Sequence, residues 1–454
     1  MTDNQESSPP AVSQQAPPGA ETLSSGTLGW RMLAVLGVSY VVAGDYAGWN
    51  YGFAASGWGG LAIAVVLAAA LYLCIVFALA ELASMIPAPG GAFAFAKEAF
   101  GGFGGYAAAT CVAAEYISAT AVIGIFLVSY FQALFGFGGP IVIAGVYLIF
   151  LTLHLLGVGE AMKVLVALSA GALIGLITFF VVTMPHFTIA RLWSGGDNVP
   201  AGFLPFGIAG IWTALPYAMA FFLAVEGVPL ASAETKDPIK SVPRAMIWAW
   251  STLVILAIGT LIATGGSTDI GTLAASDSPL LVAMSAVKAS PIVISAVNAL
   301  GLAAIAASFF SLIYAYSRQI FAMAAAGYLP RFLAATNRRS SPYAALLVPA
   351  VIALPLTIGG NAAALVAVTM LSASASYLLI FGAFLRLRKL GARPRPYRAP
   401  GGIATAWIGI VLCCIIAASC FAVARVWSLV TLVIILLVLT YYPRARAMAA
   451  RLPR

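Results

Sequence analysis

Long apolar stretches recur along nearly the whole chain, separated by short segments that hold most of its charged residues. Several of these stretches exceed about 18 residues, which is enough for a helix to cross about 30 Å of hydrocarbon. Lipid offers the backbone no hydrogen-bonding partners, and the strand alternation of a membrane barrel is absent from the sequence. The pattern therefore predicts an all-α membrane protein with twelve transmembrane helices. The predicted spans are residues 32–55, 59–86, 105–134, 139–157, 161–184, 208–230, 245–266, 290–325, 343–359, 362–385, 403–425 and 427–443.

The segments outside these spans suggest how the chain is organised. Residues 1–28 are rich in Ser, Pro and Gln and have no apolar core, which predicts a disordered cytoplasmic tail and no cleavable signal peptide. We expect a ten-helix core within residues 29–400 and two peripheral helices within 401–445. Residues 446–454 are predicted to form a cytoplasmic C-terminal tail.

The composition excludes a soluble globular protein, because 62% of the residues are hydrophobic and only 8% are charged. The net charge of +9 raises the question of nucleic-acid binding. With the N-terminus inside, however, 20 of the 23 lysines and arginines fall on the cytoplasmic side, chiefly in 331–339, 386–398 and the C-terminal tail. This bias follows the positive-inside rule, so it predicts a bacterial inner-membrane protein with both termini cytoplasmic and argues against a nucleic-acid partner.

Metal and enzyme chemistry have little support in the sequence. The two histidines, His154 and His186, are far apart, and the five cysteines lie inside apolar runs without metal-ligand spacing. We find no nucleotide-binding glycine loop and no plausible nucleophile–base pair. We therefore expect no metal, no resident cofactor and no enzymatic activity.

Acidic residues at membrane depth are the informative feature. Asp45, Glu115 and Glu226 lie in the first, third and sixth predicted spans. An ionised acid at the centre of a span costs about 2.5–3.5 kcal/mol, so it is usually paired or lines a watery cavity. No Lys or Arg lies in the middle of any predicted span, which leaves a proton, a metal cation or a cationic solute as partner. Glu81 lies near the inner end of its span, where it is expected to pair with a loop residue such as Lys97.

Glycine and proline interrupt the first and sixth predicted spans at mid-depth. These two spans open the two halves of a five-plus-five repeat, residues 32–184 and 208–385. Discontinuous helices in equivalent positions indicate an inverted-repeat transporter that binds its solute near the midplane. Unwound backbone there exposes N–H and C=O groups that can contact a ligand.

A packing interpretation of the first break stays open. Gly44, Gly48 and Gly52 are spaced by four residues, which is typical of a small-residue face for close helix contact. Asp45 would then form a hydrogen bond at a helix interface. Simple packing is also an alternative for Glu115 and Glu226.

Several motifs resemble the amino acid–polyamine–organocation superfamily of transporters. They are Gly44–Asn50, Pro87–Phe93, Phe221–Leu230 with the following 234–244, and Tyr314–Arg318 with 327–330. Within this superfamily, the first and third motifs are most similar to ethanolamine permeases. The resemblance implies a LeuT-like fold, with a five-plus-five inverted repeat, discontinuous first and sixth spans and two peripheral helices, and it implies uptake of ethanolamine.

The resemblance also suggests a substrate site. Amino acid carriers of the superfamily are expected to hold the substrate carboxylate on amide N–H groups of the first break. An ionised Asp45 would repel that carboxylate by about 4 kcal/mol at 4 Å and an effective dielectric of 20. A small amine escapes this penalty, with Asp45 or Glu226 pairing its ammonium group. The predicted substrate-binding residues are Gly44, Asp45, Tyr46, Gly48, Trp49, Phe222, Ala224 and Glu226.

The coupling ion and the exact substrate are left open by the sequence. Proton coupling needs a carboxylate that titrates, for which Glu115 is the candidate. Sodium coupling would use oxygen ligands between the first and eighth spans, where Ser308 and Ser311 lie, although serines commonly bond their own helix backbone. An amino acid or polyamine permease or exchanger is the first alternative function, and a membrane channel or sensor is the second. We expect a monomer or a weak homodimer.

Overall fold

The computed structural model describes residues 28–86, 90–156, 158–196, 199–391 and 393–450. The predicted N-terminal tail up to residue 27, the first three residues of the Pro87–Phe93 motif and the last four residues of the C-terminal tail lie outside the described residues.

The described residues are all-helical apart from two isolated β-bridges, as predicted. Short 3₁₀ turns connect or extend several of the helices. The α-helices are α1 Trp30–Val41, α2 Tyr51–Met85, α3 Ala92–Phe135, α4 Pro140–Leu155, α5 Val158–Thr183, α6 Gly207–Ala218, α7 Pro238–Ser267, α8 Ile270–Ala274, α9 Pro279–Ala286, α10 Pro291–Ala325, α11 Tyr343–Gly359, α12 Ala362–Leu390, α13 Ile403–Val423, α14 Arg425–Thr440 and α15 Tyr442–Ala450.

Nine helical segments in the described part of the chain are long and apolar enough to cross a membrane. Two shorter apolar helices, α4 and α11, lie at two further predicted spans. The first predicted span is interrupted, because its N-terminal half is α1 and its C-terminal half is the start of α2. A multi-span helical bundle is therefore confirmed, whereas the count of twelve spans stays a prediction.

The first helix break lies between α1 and α2. The chain leaves α1 at Val41, forms a 3₁₀ turn over Val42–Asp45 and resumes as α-helix at Tyr51. Gly48 has a φ of 102°, which a residue with a Cβ rarely adopts. Glycine at this position therefore lets the chain turn between the two half-helices.

The second break follows α6. A 3₁₀ turn over Met219–Phe221 ends the regular helix, and a second 3₁₀ segment runs over Val225–Glu234. Ala224, between them, is in the left-handed region with a φ of 73°. That conformation is costly for a residue with a side chain and occurs preferentially at functional sites. Both predicted interruptions are thus present in the structure.

The two breaks contact each other at the centre of the bundle. A Cβ added to Gly44 would lie 2.0 Å from the carbonyl oxygen of Ala220. Around this contact, α3 packs along α10 and α12, while α1 packs against α7 and α10. The absence of a side chain at Gly44 therefore allows the backbones of both breaks to meet.

Replacing Gly44 by alanine should destabilise the fold by about 1–3 kcal/mol, because the new methyl group overlaps backbone that cannot rotate away. Thermal unfolding of the purified protein measures this effect. Gly145→Ala in α4 is the matched control, since no heavy atom lies within 4 Å of its added Cβ. The control should leave the unfolding temperature unchanged or raise it. Equal unfolding temperatures for both variants would contradict a tight contact between the breaks.

Candidate functional site

A small cavity lies where the two breaks meet α3, α10 and α12. Its volume is about 20 Å³, which is room for about one water molecule. The wall is largely apolar, and its lining includes Tyr40, Gly44, Ala220, Leu223 and Thr369. Among the described residues, no charged side chain lines this cavity.

The predicted substrate-binding residues occupy several different places around this cavity. Only Gly44 of the eight lines the cavity itself. Tyr46 points toward α5, where its hydroxyl donates a 2.7 Å hydrogen bond to the carbonyl oxygen of Ala172. Trp49 is fully buried and stacks on Phe221 with ring centroids 5.5 Å apart. Tyr46 and Trp49 are therefore packing residues in this structure.

The remaining predicted residues shape the breaks. Phe222 packs against Tyr72 with ring centroids 5.5 Å apart. Gly48 lies close to the ring of Phe126, which lines the cavity. The residues that line the cavity without having been predicted are mostly small or apolar, and nothing in their sequence pattern distinguishes them from lipid-facing positions.

Amide groups of the first break are already hydrogen-bonded within the protein. The N–H of Ala43 donates to Ser308 Oγ at 3.0 Å. The N–H groups of Tyr46 and Ala47 both donate to the carbonyl oxygen of Ala43, at 3.0 and 3.1 Å. The N–H of Gly48 donates to the side-chain oxygen of a residue two positions further on, at 3.0 Å. These four donors are therefore not free to hold a substrate carboxylate.

Asp45 is fully buried in the first break, and neither carboxyl oxygen has a hydrogen-bonding partner. No basic side chain among the described residues forms an ion pair with it. A buried polar atom normally has a partner, so two unpartnered oxygens on one side chain are exceptional. The packing interpretation expected a hydrogen bond for Asp45, and the described structure contains none.

Glu226 lies beside Glu115, and we call these two residues the acid pair. The two carboxyl groups are close enough to interact, although no hydrogen bond of ordinary length and angle joins them. Ser376 donates to one oxygen of Glu115 at 3.3 Å, whereas both oxygens of Glu226 lack a partner. The structure thus brings Glu226 to Glu115 rather than to Asp45, so the two breaks do not present their acids to one another.

Four buried tyrosines surround the acid pair. Tyr72, Tyr116 and Tyr377 lie near both carboxyl groups, and the hydroxyls of Tyr72 and Tyr377 are 3.3 Å apart. Tyr40 interacts with Glu226 and also lines the cavity. The cavity and the acid pair are therefore neighbours that share Tyr40.

Glu81, in contrast to these acids, is a buried carboxylate that has a basic partner within the protein. Its two oxygens accept hydrogen bonds from the guanidinium of Arg388 and from the N–H of Ala399. The prediction that Glu81 pairs with Lys97 is wrong, because the Lys97 ammonium lies over the rings of Phe93 and Tyr328 instead. Arg388 comes from distant α12, which sequence spacing alone could not indicate.

The candidate coupling residues Ser308 and Ser311, on α10, contact α1 and the first break. Ser308 donates to the carbonyl oxygen of Ser39 at 2.7 Å and accepts from Ala43. Ser311 lies 2.8 Å from the hydroxyl of Ser39 and donates to Ala307 of its own helix. In this arrangement the Ser308 hydroxyl forms hydrogen bonds with backbone groups of the first broken helix.

One end of the bundle is closed by a buried ion pair that the sequence analysis missed. Arg318 donates to one oxygen of Glu234 at 3.1 and 3.2 Å, and the Tyr314 hydroxyl donates to the other at 2.7 Å. Both charged residues are nearly inaccessible to solvent. At the start of the described chain, the N–H of Leu28 donates to the carbonyl oxygen of Glu234 at 2.9 Å. We call Arg318, Glu234 and Tyr314 the N-terminal gate.

The opposite end is closed by the segment between α8 and α9. Asn50, in the first break, donates to the carbonyl oxygens of Leu273 and Ser276 at 3.2 and 2.7 Å. The hydroxyl of Tyr51 donates to Asp277 at 2.5 Å. These hydrogen bonds join the start of α2 to the segment between α8 and α9.

These features define a class of protein: multi-span helical membrane proteins in which two interrupted helices meet inside the bundle. The family model described as amino acid permease matches residues 28–440. The chain therefore belongs to the amino acid permease family of the amino acid–polyamine–organocation superfamily, as the motif resemblance implied. Membership of a transporter family is consistent with the absence of enzyme motifs.

Curated relatives agree with this assignment. An uncharacterized transporter of Rhizobium meliloti is 25% identical over 85% of this chain and 84% of its own length. The aromatic amino acid transport protein AroP of Escherichia coli is 29% identical over 37% of this chain and 35% of its own length. A D-serine/D-alanine/glycine transporter of E. coli is 28% identical over 40% of this chain and 38% of its own length. The chain thus matches the two relatives of named substrate over little more than a third of their lengths.

Proposed function

We propose that this protein is a secondary transporter that imports ethanolamine or a similar small primary amine by alternating access. The observation that carries the proposal is a set of three buried carboxylates at or beside the broken helices, none of which has a basic partner in the described structure. Uncompensated negative charge at membrane depth is costly unless a cation binds there. A cationic solute or a proton supplies that compensation during transport.

The chemistry of the first break favours an amine that lacks a carboxylate. Four of its amide N–H groups are committed to partners inside the protein, and no basic side chain lines the cavity. A substrate carboxylate would find neither a free donor among these groups nor a positive charge. An ammonium group, in contrast, could pair with an unpartnered carboxylate, either Asp45 or Glu226.

Glu226 is the stronger of the two candidate ammonium partners. Its oxygens are unpartnered, and it shares Tyr40 with the cavity. Aromatic faces around it also attract cations, with an interaction of about 2 kcal/mol when desolvated. In our proposal the tyrosines around the acid pair, rather than the predicted aromatic residues Tyr46, Trp49 and Phe222, provide the aromatic surface beside the ammonium.

Proton coupling through the acid pair is the mode of energisation we propose. Two carboxyl groups this close disfavour carrying two charges at once, so one proton would be shared between them. In our proposal that proton stays on Glu115 while the ionised Glu226 pairs with the ammonium, so the proton and the amine cross the membrane together. A sodium site at Ser308 is less suited to this geometry, because the hydroxyl already donates to one backbone group and accepts from another.

A membrane potential alone also drives import of a cation. One positive charge moving through 100 mV releases about 2.3 kcal/mol, which corresponds to roughly fifty-fold accumulation. Import requires the site to open to both sides of the membrane. We propose that the N-terminal gate faces the cytoplasm, because the excess of lysines and arginines predicts that the N-terminus is cytoplasmic. The opposite end, closed by Asn50 and Tyr51, would then open to the outside.

Uptake of radiolabelled ethanolamine into proteoliposomes tests the proposal. We expect saturable uptake that rises at least about fifty-fold at equilibrium when a potential of about 100 mV, negative inside, is imposed, because a coupled proton adds to the charge of the amine. A separate arm imposes a pH gradient without a potential and tests the shared proton. Protein-free liposomes are the control. Absence of saturable ethanolamine uptake under both gradients would refute the proposal.

Amino acid transport is the second candidate, because the relatives with named substrates carry amino acids. Competition distinguishes the two. Excess unlabelled ethanolamine should suppress the labelled signal, whereas alanine, D-serine and phenylalanine should leave it unchanged. Competition by putrescine would widen the substrate class to diamines, and stronger competition by alanine would favour an amino acid permease.

A further inference from the structure

A second cavity opens on the side of the bundle, away from the central site. It has a volume of about 370 Å³ and lies between α1, α5 and α7. Its walls are mostly aliphatic, and they carry two tryptophans, Trp30 and Trp248, whose ring centroids are 6.5 Å apart. We call this cavity the crevice. Its shape and lining suit an elongated apolar group rather than a polar solute.

Basic side chains stand at the tryptophan end of the crevice. The guanidinium of Arg244 lies 3.9 Å from the ring centroid of Trp30, and that of Arg31 lies 5.7 Å from the same ring. Both arginines are exposed. Neither forms an ion pair with a carboxylate of the described residues. Two such cations beside the apolar crevice complement a ligand that joins an anion to a hydrocarbon chain.

One polar group in the crevice wall lacks a partner. Ser169, on α5, lines the crevice and is 4% exposed, yet its hydroxyl has no hydrogen-bonding partner among the described residues. Serines in membrane helices normally bond a backbone carbonyl of their own helix. An ester carbonyl of a bound lipid would satisfy this hydroxyl within an otherwise apolar wall.

We propose that the crevice binds one anionic phospholipid. Its phosphate lies between Arg31 and Arg244, one acyl chain fills the space along α1, and an ester carbonyl accepts from Ser169. Tryptophans are typical of the headgroup level of a membrane, and arginines there attract anionic lipids. Because α1 is the N-terminal half of the first broken helix, the bound lipid stabilises the helix that leads to the central cavity.

Native mass spectrometry of the full-length protein tests this site. The protein is equilibrated with equal amounts of palmitoyl-oleoyl phosphatidylglycerol and phosphatidylcholine, which share acyl chains and differ in charge. We expect one retained phosphatidylglycerol per chain. Each basic side chain near an anionic lipid strengthens binding about fivefold, so the double variant Arg31→Gln/Arg244→Gln should reduce retention about 25-fold.

Matched variants separate the site from general surface charge. Arg338→Gln removes another exposed arginine that is outside the crevice, and it should leave retention unchanged. Ala170→Trp fills the crevice at an exposed position and should displace the lipid without altering charge. Equal retention of both lipids by the wild type, or retention unaffected by both crevice variants, would overturn the proposal. Displacement of the lipid by inorganic phosphate alone would also overturn it, since a free anion would then be the ligand.

Discussion

Ethanolamine uptake by Glu226→Gln is expected to fall at least a hundredfold, with little change in the amount of folded protein. An ammonium 4 Å from a carboxylate gains about 4 kcal/mol at an effective dielectric of 20, and glutamine keeps the size of the side chain while removing that gain. Asp45→Asn should depress uptake in the same direction, since its oxygens are also unpartnered. The measurement is the initial rate in proteoliposomes, normalised to the reconstituted protein.

A stability measurement separates a functional role for these acids from a structural one. Neutralising an unpaired buried acid removes a desolvation cost, so both variants should unfold at the same temperature as the wild type or higher. Glu98→Gln is the matched control, because Glu98 is an exposed acid that pairs with Arg393 at 2.9 Å. That variant should transport normally. Uptake within twofold of the wild type in both Glu226→Gln and Asp45→Asn would contradict the carboxylate assignment.

The helix breaks could be read from the sequence because their causes are local. Gly48 permits a φ that other residues resist, and Pro216 interrupts the hydrogen bonds of α6 just before its end. Hydrophobic length located the helices for the same reason, since each span must cover the same thickness of lipid. Gly57, with a φ of 69°, marks the turn that separates the first two predicted spans.

The composition of the site was only partly predictable, because it depends on contacts between distant segments. Asp45, Glu115 and Glu226 stood out as acids without a nearby base, and they are buried without a basic partner in the described structure. Their grouping did not follow from the sequence. Glu226 lies beside Glu115 because the fold brings α3 close to the second break. The positions of the two residues in the sequence do not reveal this contact.

The N-terminal gate was missed although the sequence held a signal for it. Arg318 lies within a long apolar helix, so the cost of a buried charge requires a nearby acid. Glu234 was visible only as part of a loop motif after the second break. The rule that a buried base needs a buried acid would have suggested the pair, but it could not have chosen Glu234 over other acids.

The geometry links this gate to the central site through Tyr40. Tyr40 lines the cavity and lies near Glu226, and it also lies near Arg318 and Glu234. Its hydroxyl has no hydrogen-bonding partner in the described structure. A cation that binds at Glu226 therefore changes the electrostatic surroundings of a residue that also lies near the gate. This arrangement offers a short route by which occupancy could favour opening.

Breaking the gate pair on one side should open the N-terminal end of the cavity. Removing one partner of a buried pair costs about 3–5 kcal/mol, which shifts a closed–open equilibrium by more than about a hundredfold. A cysteine-free protein carrying Leu312→Cys, which lies in the cavity wall, reports the opening through its rate of labelling by a water-soluble thiol reagent. Glu234→Gln and Arg318→Gln should each accelerate labelling at least tenfold.

A double variant distinguishes a gate from a merely structural ion pair. Replacing both partners with apolar residues, Arg318→Met with Glu234→Leu, leaves no uncompensated charge and is expected to restore closure and slow labelling. The exposed pair Arg393–Glu98 is the matched control, because such surface pairs contribute only about 0–1 kcal/mol and its loss should leave labelling unchanged. If the double variant is labelled as fast as the single variants while remaining folded, charge compensation does not hold this end closed. In that case the contact of Leu28 with Glu234 backbone, rather than the ion pair, would be the element that opens.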